Sequence, residues 1–437
     1  MPKRFLIGSG AAVFTALALL LGGVLAADPA ANPPARSAPA ALAERVFAGF
    51  STESIDDEIL LLRDEARRTD TGQAFALLGL AYQQRARETA DPTDYVRSEA
   101  ALRRALARDR RNLYALGGLG SLALSRHRFA EALALGRRAR RLSPTTARTY
   151  GVIGDALVEL GRYNEAFRAY DRMASLKPGL AAYARVSHAR ELLGDWRGAV
   201  AAMRLARDAA GSQREPLAWT QVQLGKLYFS RGRLGPAARE HRAALAVFPG
   251  YVHALDALAR VEAARGRLRR AAELERAAVE RNPLPEFAGF LGDLYRSQGE
   301  ERRARDQYAL VGAIERVLVA NGVKTDLETA AFDVDHGVRL EAALARAQRA
   351  QHERPSIQAD DVLSWALART GRCGEALRYS ERALRLGTLE ATTFFHRGMV
   401  ERCLGRTFEA RRWFRRALRL NPHFSLVWAP VARKAVA

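Results

Sequence analysis

A glycine recurs along this chain at an interval that few folds can accommodate. Gly161, Gly194, Gly232, Gly266 and Gly299 follow one another at spacings of 33, 38, 34 and 33 residues, and Gly371 and Gly405 are 34 apart. A fixed period of this length marks a repeat architecture, in which one supersecondary unit stacks on copies of itself. Other small residues keep their places around each marker. Between Phe394 and Phe424 they stand at Gly398, Gly405, Ala410, Ala417 and Pro422. Gly154, Gly161, Ala166 and Pro178 repeat the order, as do Gly225, Gly232, Ala237, Ala244 and Pro249.

Each unit reads as two helical patterns separated by a Gly-centred turn and closed by Pro or Gly. Ala410, Phe414 and Ala417 recur at i, i+4 and i+7, which places them on one face of the second helix. Gly398 and Ala410 then mark where two helix backbones approach within roughly 8 to 10 Å, a distance that leucine at either position would prevent. Pro422 tolerates a helix start but not a helix interior, so it ends one hairpin and opens the next.

The pattern of an aromatic, then Leu-Gly, Tyr, Ala, Phe, Ala and Pro resembles the tetratricopeptide repeat family. Tyr150, Gly154, Tyr163, Ala166, Tyr170 and Pro178 carry it in one unit, and Leu224, Gly225, Tyr228, Ala237, Ala244 and Pro249 in another. Units begin near Leu113, Ala147, Leu180, Ala218, Val252, Pro285, Ile357 and Ala391. Two more are degenerate: one from about Gly72 to Arg111 with an inserted turn at Asp91 to Asp94, the other from about Lys324 to Pro355. The stretch Ala309 to Gly322 reads as a prolonged helix. The resemblance implies an all-α, right-handed α-solenoid of about ten stacked helix-turn-helix repeats over residues 72–424, degenerate at 72–111 and 309–356. Capping helices are expected at 42–71, where Ser54 precedes Asp56, Asp57 and Glu58, and at 425–437 around Trp428.

The N-terminus reads as an address. Lys3 and Arg4 precede an uncharged stretch from Phe5 to Ala27 that ends in small residues, the make-up of a signal peptide. A stretch of this length also spans a bilayer core of about 30 Å, so residues 1–27 are expected as a signal peptide or a membrane anchor. Both forms place the rest outside the cytoplasm, secreted or anchored to the cytoplasmic membrane. Residues 28–41 form a Pro and Ala tether too poor in large apolar side chains to pack.

The formal charge of +21 invites a nucleic-acid reading. Only five of the 69 basic residues are lysines, however, and the arginines are spread along the whole chain. That spread reads as a solvated arginine-rich surface, so nucleic acid is not the expected partner.

Gly118, Gly120 and Ala123 form a loosened dinucleotide pattern, but Gly120 occupies the repeat's own small-residue position. No P-loop, nucleophile-elbow or zincin motif occurs. The eight histidines are scattered. Asp333, Asp335 and His336 read as a capped turn, with a ligand site as the alternative, and Asp360 with Asp361 as acids opening a helix. No cofactor, metal, small-molecule substrate or catalytic activity is expected. Cys373 and Cys403 fall at the same edge of adjacent units, leaving two alternatives: a disulfide or two separate buried thiols.

In the family this chain resembles, the first helices line a concave groove. That resemblance places Trp219, Lys226, Phe229, Arg260, Arg296, Trp365 and Phe395 among the partner-binding residues, with Trp and Arg as anchors. Asp256 and Arg260, four apart, have a simple ion pair as their alternative. The Lys and Asn pair of chaperone-binding members is absent, since its positions read Gly151/Asp155, Val222/Lys226 and Asp256/Arg260. The expected function is a non-catalytic exported or tethered scaffold that binds an extended segment of a partner protein. The alternative is a binder of an anionic polymer, nucleic acid or an acidic envelope polymer.

Overall fold

The structure, a computed structural model, describes residues 55–89 and 91–437. The expected export segment, the Pro/Ala tether and Ser54 lie outside the described residues. Among the described residues ten helix hairpins follow α1 (Ile55–Thr69). They are α2 and α3 (Gly72–Thr89, Thr93–Arg108), α4 and α5 (Leu113–Ser125, Phe129–Leu142), α6 and α7 (Ala147–Glu159, Tyr163–Leu176), α8 and α9 (Leu180–Leu192, Trp196–Asp208), and α10 and α11 (Arg214–Phe229, Leu234–Val247). The second half continues with α12 and α13 (Val252–Ala264, Leu268–Arg281), α14 and α15 (Pro285–Ser297, Glu301–Ala320), α16 and α17 (Asp326–His336, Leu340–Glu353), α18 and α19 (Ile357–Arg369, Cys373–Ala383), and α20 and α21 (Ala391–Cys403, Thr407–Leu420). A closing helix, α22 (Trp428–Val436), buries Trp428 against the last hairpin. The chain is an all-α repeat solenoid. Among the described residues no helix is long and apolar enough to cross a membrane.

Small residues set the spacing within each hairpin. A Cβ on Gly398 would stand 2.6 Å from the Phe414 ring, and one on Gly79 2.5 Å from the Leu102 side chain. In these hairpins the first helix thus lies directly on the side chains of its second helix. On the second helices of nine of the ten hairpins one alanine is sealed in the same place. Ala132, Ala166, Ala199, Ala237, Ala271, Ala304, Ala343, Ala376 and Ala410 are all at most 2% exposed. The degenerate hairpin α16–α17 therefore keeps the packing position of the rest. The stretch Ala309 to Gly322 falls almost wholly within α15, the 20-residue helix that the sequence implies. One expected boundary is off: the unit placed at Ala218 begins four residues earlier, at Arg214.

The coil is tight enough to touch itself. Between five and six hairpins on, the turns of early units meet the loops of later ones. Lys324 N donates to Arg126 O at 3.1 Å, Ile357 N to the Tyr163 hydroxyl at 2.7 Å, Thr388 Oγ1 to Leu192 O at 2.5 Å, and Asn421 Nδ2 to Phe229 O at 3.0 Å. Gly194 sits on this seam with φ +76°, and a Cβ there would lie 2.7 Å from Gly387 O, so both its backbone angle and its neighbour exclude a side chain.

Candidate functional site

The seam turns the concave face into a lumen. A cavity of about 490 Å³ is lined by first helices α10, α12, α14 and α16, by α15, by early residues such as Tyr95 and Phe129, and by the segment from Pro422 to Arg433. Its walls alternate aromatic rings (Phe229, Phe287, Phe290, Phe332) with charged groups (Lys226, Asp256, Arg260, Glu286, Asp293, Glu328, Asp335).

Several of these charges are held in pairs. Arg260 Nε donates to Asp256 Oδ1 at 2.7 Å, and its guanidinium lies 4.2 Å from the centre of the Phe290 ring. Asp293 Oδ1 accepts from the Tyr308 hydroxyl at 2.9 Å and from His336 Nε2 at 3.1 Å, while His336 Nδ1 lies 2.7 Å from Phe332 O. Burial alone would lower the His336 pKa, but the hydrogen bond and charge of Asp293 outweigh it and raise it above the usual histidine value. Arg354 joins Glu328 at 2.6 Å and reaches Glu159 at 3.7 Å, tying late and early turns together beneath the lumen.

Other groups feel burial first. It draws the Lys226 ammonium below the usual lysine value and pushes the Glu286 carboxyl up to about 7. It lowers His253 to about 4. Behind the wall Glu275 is fully buried near Asp256, and desolvation lifts its pKa well above the carboxylate range. The lumen therefore offers aromatic faces and charges whose state depends on their low-dielectric surroundings. Among the described residues no group of three His, Cys, Asp or Glu side chains is arranged to hold a metal ion.

Lys226, Phe229 and Arg260 line this cavity, together with His253, Asp256 and Asp293 from the same groove positions. Arg296 is half-buried on α14 and does not line the cavity. Trp219, Trp365 and Phe395 depart from expectation, being 2%, 1% and 0% exposed. They are core residues. Trp219 sits in the hydrophobic core with Leu180 and Val222, on a helix that starts a full turn earlier than the repeat spacing implies. Trp365 stacks on His396, meets Phe395 and Trp428 edge-on, and donates its Nε1 hydrogen to Asp335 Oδ1 at 2.9 Å. The closing helix covers the groove positions of the last two units. Glu286, Glu315 and Arg354 lie on the lumen unforeseen, because the seam that brings them there has no local sequence signal.

The polar stretch Phe332 to Gly337 ends α16, with Gly337 in the left-handed capping conformation at φ +66°. Asp333 is fully buried there and bound by Arg339 and Arg346. Asp360 takes Arg382 and Arg385 as partners, and Asp361 takes His396. Cys373 and Cys403 are bridged, with Cα atoms 5.6 Å apart.

A family model described as tetratricopeptide repeat matches residues 84–147, 222–285 and 362–423, and a second of the same description matches residues 147–179. No curated protein is significantly similar. Similar solved structures include TTC0263, a thermophilic TPR protein in Thermus thermophilus, at 22% identity over 44% of this chain and 98% of that one, TM-score 0.39. They also include the APC/C hetero-tetramer Cut9-Hcn1, at 13% identity over 92% and 97%, TM-score 0.33. YrrB, a TPR protein with an unusual peptide-binding site, matches at 18% over 42% and 94%, TM-score 0.29. With ten stacked hairpins and repeat models matching stretches from the first hairpin to the last, this chain is a tetratricopeptide repeat protein.

Proposed function

We propose that the chain is a non-catalytic scaffold that holds a short extended segment of a partner protein in its lumen, outside the cytoplasm. The observation that carries this reading is the convergence of Lys226, Phe229 and Arg260 on one cavity of about 490 Å³. A space of this size suits a few residues of extended chain rather than a folded domain. Phe229 and Phe290 supply apolar contact, and Lys226 supplies a charge that a carboxylate or backbone carbonyl of the segment would satisfy. The uncharged stretch Phe5 to Ala27 supports the extracytoplasmic part.

The test is photo-crosslinking in the native cell from a reactive residue placed at Phe229, with Arg276 on the outer face of α13 as control. Capture of one protein from position 229 alone, reduced about tenfold or more by Lys226→Ala with Arg260→Ala, supports lumen binding. Equal capture from both positions refutes it. N-terminal sequencing of the fractionated protein tests the location.

A further inference from the structure

Among the described residues α21 carries the largest excess of basic over acidic side chains of any helix. Arg411, Arg412, Arg415, Arg416 and Arg419 stand on its 14 residues against one carboxylate, Glu409. All five are exposed, and among the described residues none forms an ion pair with a carboxylate. On other second helices acids neutralise part of the charge: Arg270 pairs with Glu273 at 2.9 Å, Arg346 with Asp333 at 2.9 Å, and Arg382 with Asp360 at 3.2 Å. Phe408, 67% exposed, heads the stripe. With Arg411 or Arg412, Arg415 and Arg419 it follows the i, i+3/4, i+7, i+11 line of a single helix face. The opposite face, Ala410, Phe414 and Ala417, is sealed in the core, so the stripe faces outward with no freedom to rotate away.

We propose that this face docks the protein on an anionic phospholipid bilayer, with the arginines at the phosphates and Phe408 in the interfacial layer. Shape decides between anionic partners. A convex wall meets a plane along a line about one helix wide, and these five arginines share one helix. A nucleic-acid strand is bound by a groove that tracks its backbone with several aromatic platforms, whereas this face is convex and bears one exposed ring. Each arginine near an anionic leaflet is worth roughly a fivefold gain in partitioning, and the exposed ring adds interfacial anchoring.

The full-length chain would be tested by flotation with phosphatidylcholine vesicles with and without phosphatidylglycerol. Comparing variants that share the N-terminal segment removes any contribution of that segment. The expected result is binding that needs phosphatidylglycerol, falls about 100-fold or more when Arg411, Arg412, Arg415 and Arg419 become serine, and persists when they become lysine. Circular dichroism and the thermal midpoint verify the fold, and Phe408→Ser, a mild surface change, is expected to weaken binding by itself. The control changes Arg137, Arg138, Arg140 and Arg141 on α5 to serine and should retain most of the binding. An equal loss in that control, unchanged binding in the α21 variant, or arginine-dependent binding of a single-stranded oligonucleotide with no response to phosphatidylglycerol would each overturn the proposal.

Discussion

The phenolic oxygen of Tyr163 accepts a hydrogen bond from the backbone N–H of Ile357, 194 residues further along the chain, at 2.7 Å. Tyr163 is 5% exposed and Ile357 8%, so no solvent replaces either partner if one is lost. Tyr163→Phe is expected to cost about 1 to 3 kcal/mol, read as a lower thermal midpoint, because a buried N–H is left unpaired. Combined with Asn421→Ala, which removes the bond to Phe229 O, it should open the coil. Small-angle scattering would then show a larger maximum dimension at unchanged helicity; an unchanged dimension would mean that the seam does not hold the coil closed.

The Cys373–Cys403 bridge closes a loop of sequence separation 30 between adjacent units. On the chain-entropy model its loss costs about 3 to 4 kcal/mol. Reductant should lower the melting temperature of the wild type and leave Cys373→Ser unaffected. Equal shifts in both would place the effect elsewhere.

Trp365 and Lys226, both expected in the groove from repeat position, should now separate cleanly. Trp365→Ala removes a side chain that is 1% exposed and leaves Asp335 without its indole donor, so a loss of about 3 to 5 kcal/mol is expected in denaturant unfolding. Lys226→Met should stay within about 0.5 kcal/mol of wild type, while reducing partner capture. Comparable destabilisation by both changes would contradict the assignment of Lys226 to the lumen.

Burial makes the protein sensitive to alkali. Desolvation pushes Glu286 and Glu390 up to about 7, against about 4.3 in an unfolded chain. A carboxyl raised on folding keeps its full stability contribution below the unfolded value and loses it as pH rises through about 7. His336 and His396, raised by Asp293 and Asp361 against the opposing effect of burial, add stability at low pH that is likewise lost as pH rises. His241 and His253, which burial lowers to about 3 and about 4, gain stability as pH rises to about 6.5 and offset this fall there, so the thermal midpoint should fall between about pH 6.5 and 8, as each raised group withdraws up to about 1.4 kcal/mol of stability per pH unit. Glu286→Gln and Glu390→Gln should flatten it, and a midpoint that rises over this range would contradict the burial argument.

The hairpins were legible in the sequence because each is fixed by neighbours in the chain. Gly398 against Phe414 and Ala410 in its sealed niche are contacts within one repeat, so their spacing is visible as a period. Expected helix starts at Leu113, Ala147, Leu180, Val252, Pro285, Ile357 and Ala391 coincide with those observed. What the period cannot encode is contact between units far apart. Trp365 and Phe395 occupy groove positions of their repeats, yet Trp428, from outside the array, covers them. Glu286 and Arg354 share a lumen only because the coil closes on itself, and no residue near either announces that closure.

Repeat arrays ordinarily behave as one-dimensional chains, in which each unit is stabilised by the two beside it and ends can fray independently. The bonds from Tyr163 to Ile357, Leu192 to Thr388 and Phe229 to Asn421 add a second direction of neighbours. Connectivity of that kind resembles a rolled sheet more than a string, so a hairpin in the middle of the sequence cannot melt without exposing another almost 200 residues away. Unfolding should then propagate across turns as well as along them, and the array should lose its structure as a block rather than repeat by repeat.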